Sequence, residues 1–144
     1  MTDALLETML VPIASEDDAK RTCEAILSEL NDRATVHVVH VIEKAGGAPD
    51  KAGVAQREER AERIFEIVES TLAGTNTALE TEILYGTDVA ATILEHARDL
   101  EATAIVFTPR GASRWMRLLT GDVAQKLLTN TDRPLVILPR SDHE

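Results

Sequence analysis

Short apolar runs alternate with amphipathic stretches along the whole chain. Met9, Leu10, Val11, Pro12 and Ile13 read as a strand, and Ala14, Ser15, Glu16, Asp17 and Asp18 behind them offer polar side chains that can cap a helix. In the helix predicted over residues 17–30, Ala19, Cys23, Ile26, Leu27 and Leu30 recur at helical spacing and form one stripe, and Asn31-Asp32 then turns the chain. Residues 35–42 are β-branched and almost continuously apolar, as a strand covered on both faces should be. Residues 44–53 carry Ala, Gly, Pro and charge, the composition of a mobile surface loop.

A long charged helix is predicted from near Val54, with Ala61, Ile64, Phe65, Val68 and Leu72 on its apolar stripe and most of its Arg and Glu side chains in water. Gly74 closes it, residues 78–84 alternate Thr and Glu with Leu and Ile, and Tyr85, Gly86, Thr87 and Asp88 turn into a further helix. Val89, Ala90, Ile93, Leu94 and Ala97 mark that helix's inner side. The remaining elements are a strand over residues 104–107, a loop from Thr108 to Thr120, a helix carrying Val123, Ala124, Leu127 and Leu128, and a last strand over residues 135–138. The order βαβαβαβαβ implies one α/β domain over residues 1–144: an open five-stranded parallel sheet with helices on both faces, Rossmann-like in plan.

Composition narrows the function. Apolar residues make up 44% and charged residues 28%, ordinary values for a chain that buries a core. Asp and Glu number 25 against 15 Lys and Arg, and a net charge of −10 repels a phosphate backbone, so no nucleic-acid partner is expected. Only 4 of the bases are Lys against 11 Arg, a balance that suits solubility in a salt-rich cytosol. No apolar run reaches the roughly 20 residues of a membrane span, and the first residues lack the basic flank and apolar core of an export signal, so a cytoplasmic location is expected. Cys23 falls on an apolar helix face and reads as a core thiol. His37 and His40 point to opposite faces of their strand, which argues against a shared metal site.

In a parallel α/β sheet, ligands bind beyond the carboxyl ends of the strands, where the loops starting at Ala14, Ile42, Gly86 and Thr108 should converge. The distinctive loop is Thr108-Pro109-Arg110-Gly111-Ala112-Ser113-Arg114-Trp115-Met116-Arg117-Leu118-Leu119-Thr120-Gly121-Asp122-Val123-Ala124. It resembles the phosphate loop of the universal stress protein family, G-x2-G-x9-G-[ST], and the element order of that adenine nucleotide alpha hydrolase-like fold matches over nearly the whole chain. Gly111 and Gly121 fall on the second and third glycines, and Val123 begins a family-like helix.

Thr108 stands in place of the first glycine and Asp122 in place of the hydroxyl residue. Thr108 adds a β-branched side chain where backbone would approach phosphate, Pro109 brings no N–H, and the Asp122 carboxylate can itself occupy the anion site at a helix N-terminus. Where ATP-binding members of the family often carry an aspartate after the first strand, this chain has Ala14.

The resemblance therefore implies a non-catalytic regulatory or stress-response protein with weak or absent ATP binding and no obligatory cofactor. It acts through protein contacts with a client whose identity the sequence does not name. The alternative is an ATP- or AMP-binding sensor in which Gly111, Gly121 and Asp122, with Arg110, Arg114 and Arg117, hold phosphates and Mg²⁺. An enzyme acting on a phosphorylated substrate is a third reading, for which Ser15, Ser113 and Cys23 form no legible nucleophile arrangement and no GxxxxGK[ST] loop is present. The last strand, apolar on both faces and flanked by Pro134 and Pro139, is expected to pair with a second copy through Leu135 to Leu138.

Overall fold

The continuous apolar runs become strands because both faces of each must be covered, and they assemble side by side in one direction. The computed structural model describes residues 2–31, 33–44, 51–108 and 122–139. Its strands are β1 (Thr8–Pro12), β2 (Thr35–Glu43), β3 (Ala78–Gly86), β4 (Ala104–Phe107) and β5 (Leu135–Ile137). Its helices are α1 (Thr2–Leu5), α2 (Glu16–Leu27), α3 (Lys51–Thr71), α4 (Val89–Leu100) and α5 (Asp122–Asn130). The sheet is parallel throughout, in the order β3-β2-β1-β4-β5.

Alternate side chains of each strand serve opposite layers. Met9, Val11, Val36, Val38, Ala104 and Val106 pack beneath α2 and α3, which contribute among others Cys23, Ile26, Ile64, Phe65 and Val68. Leu10, Val39 and Ile105 face the other way, against Ile93, Leu94 and Ala97 of α4 and Leu127 of α5. The predicted stripe of α3 is buried throughout, from Ala61 to Leu72. On α5 only Leu127 of the side chains described is buried, while Val123 and Leu128 of the predicted apolar set are exposed.

Several boundaries differ from the sequence reading. The helix predicted over residues 17–30 ends at Leu27, whose side chain is exposed rather than part of the buried stripe, and the last strand ends at Ile137, with Leu138 buried in the core. The one-turn helix α1 was not foreseen, and it is tied down by Thr103 Oγ1, which donates to the Leu5 carbonyl at 2.7 Å. α3 begins at Lys51, so the predicted loop over residues 44–53 is shorter than expected, with residues 45–50 outside the described set. β3 runs on through Tyr85 to Gly86 because it stays in register with β2 as far as Glu43.

Two turns favour glycine. Gly74 (φ 88°) takes the left-handed conformation that ends α3. A Cβ on Gly86 would run into the Thr92 side chain, so any other residue at this strand-to-helix turn would force Thr92 to move. Glu101, the C-cap of α4, holds the same left-handed region (φ 55°) with a side chain attached. Glu101→Gly is expected to raise stability by about 0.5–1 kcal/mol in urea unfolding, by removing that steric cost.

Candidate functional site

The chain reverses its direction of travel across the sheet between β1 and β4, which are neighbours although β2 and β3 intervene in sequence. Loops leaving adjacent strands toward opposite faces open a crevice at such a point. Here its walls are the segment after β1, from Ile13 to Ser15, and Thr108 after β4.

The β1 segment is shaped by the start of α2. Ser15 is extended (φ −151°, ψ 168°) and acts as N-cap, its Oγ accepting from Asp18 N at 3.1 Å. Asp18, three residues on, returns a bond as in a capping box, but it reaches one residue further back: its Oδ2 accepts from Ala14 N at 3.0 Å. The carboxylate is only 5% exposed, so those bonds take the place of water around it.

Its other oxygen, Oδ1, accepts from Thr22 Oγ1 at 3.0 Å. Thr22 has a single hydroxyl proton and spends it on that carboxylate. The 2.8 Å contact between Thr22 Oγ1 and Thr108 Oγ1 is therefore donated by Thr108. A buried polar chain thus runs from Thr108 on the β4 side, through Thr22 and Asp18, to the backbone of Ala14 on the β1 side.

Around it, His40 Nδ1 donates to the Ile13 carbonyl at 2.7 Å, and Ile13 N donates to Val39 O at 2.9 Å, pinning the end of β1 to β2. Asp88, the N-cap of α4, accepts from Ala91 N at 3.1 Å and lies 3.6 Å from Lys126 Nζ of α5. The Ala91 bond, with the Lys126 charge adding to it, holds the Asp88 carboxyl below its ordinary value. Cys23, about two turns into α2 and fully buried, has its thiol pushed up to about 12, by burial first and then by the charges of Asp18 and Glu24. It is a core thiol, as its helix position predicts.

The sequence-derived candidates are distributed unevenly. Ala14 is exposed at the end of β1, and Thr108 is 3% exposed with its hydroxyl directed inward. Asp122 opens α5, and Val123 behind it is exposed. Arg110, Gly111, Gly121, Arg114 and Arg117 lie outside the described residues, as do Trp115 and Met116. Sequence reasoning missed Asp18 and Thr22. The Ser15-x-x-Asp18 spacing was the available signal for the first; the partnership of Thr22 with a residue 86 positions away left none. Among the described residues no three His, Cys, Asp or Glu side chains converge as metal ligands, and no helix is long and apolar enough to cross a membrane.

A parallel sheet of this order, with helices on both faces and its crevice at the β1/β4 switch, defines an open α/β fold of the doubly wound kind. The sequence profile of the universal stress protein family matches residues 6–139, and the chain belongs to that family. Solved structures agree in fold. A universal stress protein from Archaeoglobus fulgidus in complex with dAMP superposes with a TM-score of 0.67 at 18% identity, over 93% of this chain and 98% of that one. UspA from Lactobacillus plantarum gives 0.67 at 22% identity, over 92% and 97%. A family protein from Arabidopsis thaliana with AMP bound gives 0.65 at 15% identity, over 93% and 92%. No match was found among curated proteins.

Proposed function

We propose that this chain is a non-catalytic, regulatory member of the universal stress protein family whose switch-point crevice binds ATP weakly or not at all, and that it acts through protein contacts. The observation that carries this reading is the buried chain Thr108–Thr22–Asp18–Ala14 N, in which the polar groups lining the crevice satisfy one another. Ala14 N–H is committed to Asp18, Ala14 itself presents only a methyl group, and the Thr108 hydroxyl is turned away from the space a phosphate would need. α5 opens on Asp122, an acid where an anion would meet free backbone N–H groups. These residues fit a nucleotide poorly.

Calorimetry with Mg²⁺ and ATP is expected to give no saturable binding below about 1 mM, whereas Ala14→Asp, Thr108→Gly and Asp122→Ser combined should bring the dissociation constant into the micromolar range. Wild-type binding tighter than about 100 µM would support the other reading, an ATP or AMP sensor using Gly111 and Gly121. That alternative draws its support from the likeness to relatives solved with dAMP and AMP.

Dimerisation through β5 is part of the proposal. The strand is an edge of the sheet, and Leu135, Val136 and Ile137 all remain half-exposed despite being apolar. An apolar edge of this kind needs a cover, and a second copy supplies one. Light scattering at micromolar concentration is expected to return twice the chain mass of 15.7 kDa, and Val136→Asp to return the single mass. A wild-type monomer would overturn it.

A further inference from the structure

The far edge of the sheet has a different character. β3 is the terminal strand opposite β5, nine residues long, and its outer side pairs with no other strand among the described residues. Over it lies α3, whose charges are sorted by direction. Arg57 Nη1 donates to the Glu43 carbonyl at 2.8 Å and Arg63 Nε to Glu16 Oε2 at 3.1 Å, so these two guanidiniums lean toward β2 and α2.

Glu58, Glu62, Glu66 and Glu69 follow one helical stripe, and that stripe runs along β3. Glu58 accepts from the Tyr85 hydroxyl near the end of the strand. Glu62, Glu66 and Glu69 border a pocket of about 370 Å³ whose wall includes Phe65 and Ile83. All three of these glutamates are exposed, and among the described residues none lies in an ion pair. Glu82 also lines the pocket, with its carboxylate 3.5 Å from His96 Nε2.

We propose that the free edge of β3 and the pocket beneath α3 together form a docking surface for an extended basic segment of a partner protein. The segment's backbone would add to β3, as edge strands invite. One apolar side chain would enter beside Phe65 and Ile83, and lysines or arginines two residues to either side of it, which a strand directs to the same face, would meet Glu62, Glu66 and Glu69. A second copy of this chain is a poor occupant, because two acidic edges from a protein of net charge −10 would repel. The surface lies two strands from the switch point, so it stands whether or not the crevice takes a nucleotide.

The test uses the full chain and a fluorescein-labelled peptide with lysine, leucine and lysine at every second position and threonine between them, followed by anisotropy at about 0.15 M salt, where charge contacts still act over roughly 8 Å. Binding is expected with a dissociation constant of about 10–100 µM, and Glu62→Gln, Glu66→Gln and Glu69→Gln combined should weaken it about tenfold with an unchanged unfolding midpoint. N-methylation of alternate peptide nitrogens should cost a similar factor, and amide shifts should concentrate on β3 and α3. The proposal is overturned if the triple variant binds as the wild type does, or if the N-methylated peptide binds as well as its parent. It is equally overturned if spermine displaces the peptide at equal charge concentration, since simple cation condensation would then account for everything.

Discussion

Asp18→Ala is expected to lower the unfolding free energy by about 3–5 kcal/mol, enough to threaten folding in a domain whose total is on the order of 5–15 kcal/mol. The reason is orphaning rather than lost attraction. With the carboxylate gone, the Thr22 hydroxyl loses its acceptor in the buried interior and Ala14 N–H loses its own at the partly exposed end of the chain of bonds, at about 1–3 kcal/mol each. Asp18→Asn keeps the size and an acceptor oxygen for Ala14 N–H, and its amide can donate to Thr22 Oγ1 while the Thr22 proton turns to Thr108. Only about 1 kcal/mol is expected to be lost, from the missing negative charge at the start of α2. Thr22→Val and Thr108→Val should each destabilise, and the double variant by less than their sum, because the second change removes a group the first had already stranded. Urea unfolding measures all five. A loss below about 1 kcal/mol for Asp18→Ala would mean the chain of bonds does not brace the end of β1 against Thr108.

The second large effect lies at alkaline pH and belongs to Cys23. Its thiol titrates near 9.0 when free and near 12 in the fold. Between those values the unfolded chain has given up the proton and the folded one retains it, so the unfolded state gains and stability falls as pH rises. The slope approaches about 1.4 kcal/mol per pH unit, and the span of the shift allows a total of about 4 kcal/mol by pH 12. Below pH 9 the thiol is protonated in both states and contributes no pH dependence. Cys23→Ala should therefore flatten the alkaline limb relative to the wild type, after a fixed loss for the missing sulfur. If both proteins lose stability in parallel from pH 9 to pH 11, the assignment is wrong. The buried thiol should also resist thiol reagents until the chain unfolds.

The two effects meet in α2. Asp18 is one of the charges that lift the Cys23 thiol, so Asp18→Asn should shift the alkaline limb toward higher stability even as it weakens the fold at neutral pH.

Local pattern carried most of the fold. Strand-length apolar runs, the five-position stripe on α3 and Gly74 after it follow from backbone geometry and burial alone, and all are found where the pattern puts them. Boundaries slipped where tertiary pairing decided them, as when β3 continued to Gly86 in register with β2. At the crevice, Ala14 and Thr108 were recognisable as departures from the family loop, but what they do instead was not. Asp18 sits in an acidic run that reads as generic capping charge. Only the adjacency of β1 and β4 brings Thr108 to Thr22, and no periodicity encodes a bond between two single side chains that far apart.

The strand order leaves the sheet with two unlike margins, an apolar one at β5 and an acidic one at β3. A pair of chains joined through β5 would carry a β3 margin at each outer end, making the assembly bivalent. A partner bearing two basic segments on a linker long enough to reach both would be held by avidity, gaining up to about 10²–10⁴ over a single segment without any new contact. Control over the β5 contact would then set how tightly such partners are held, with no change at the surface that touches them.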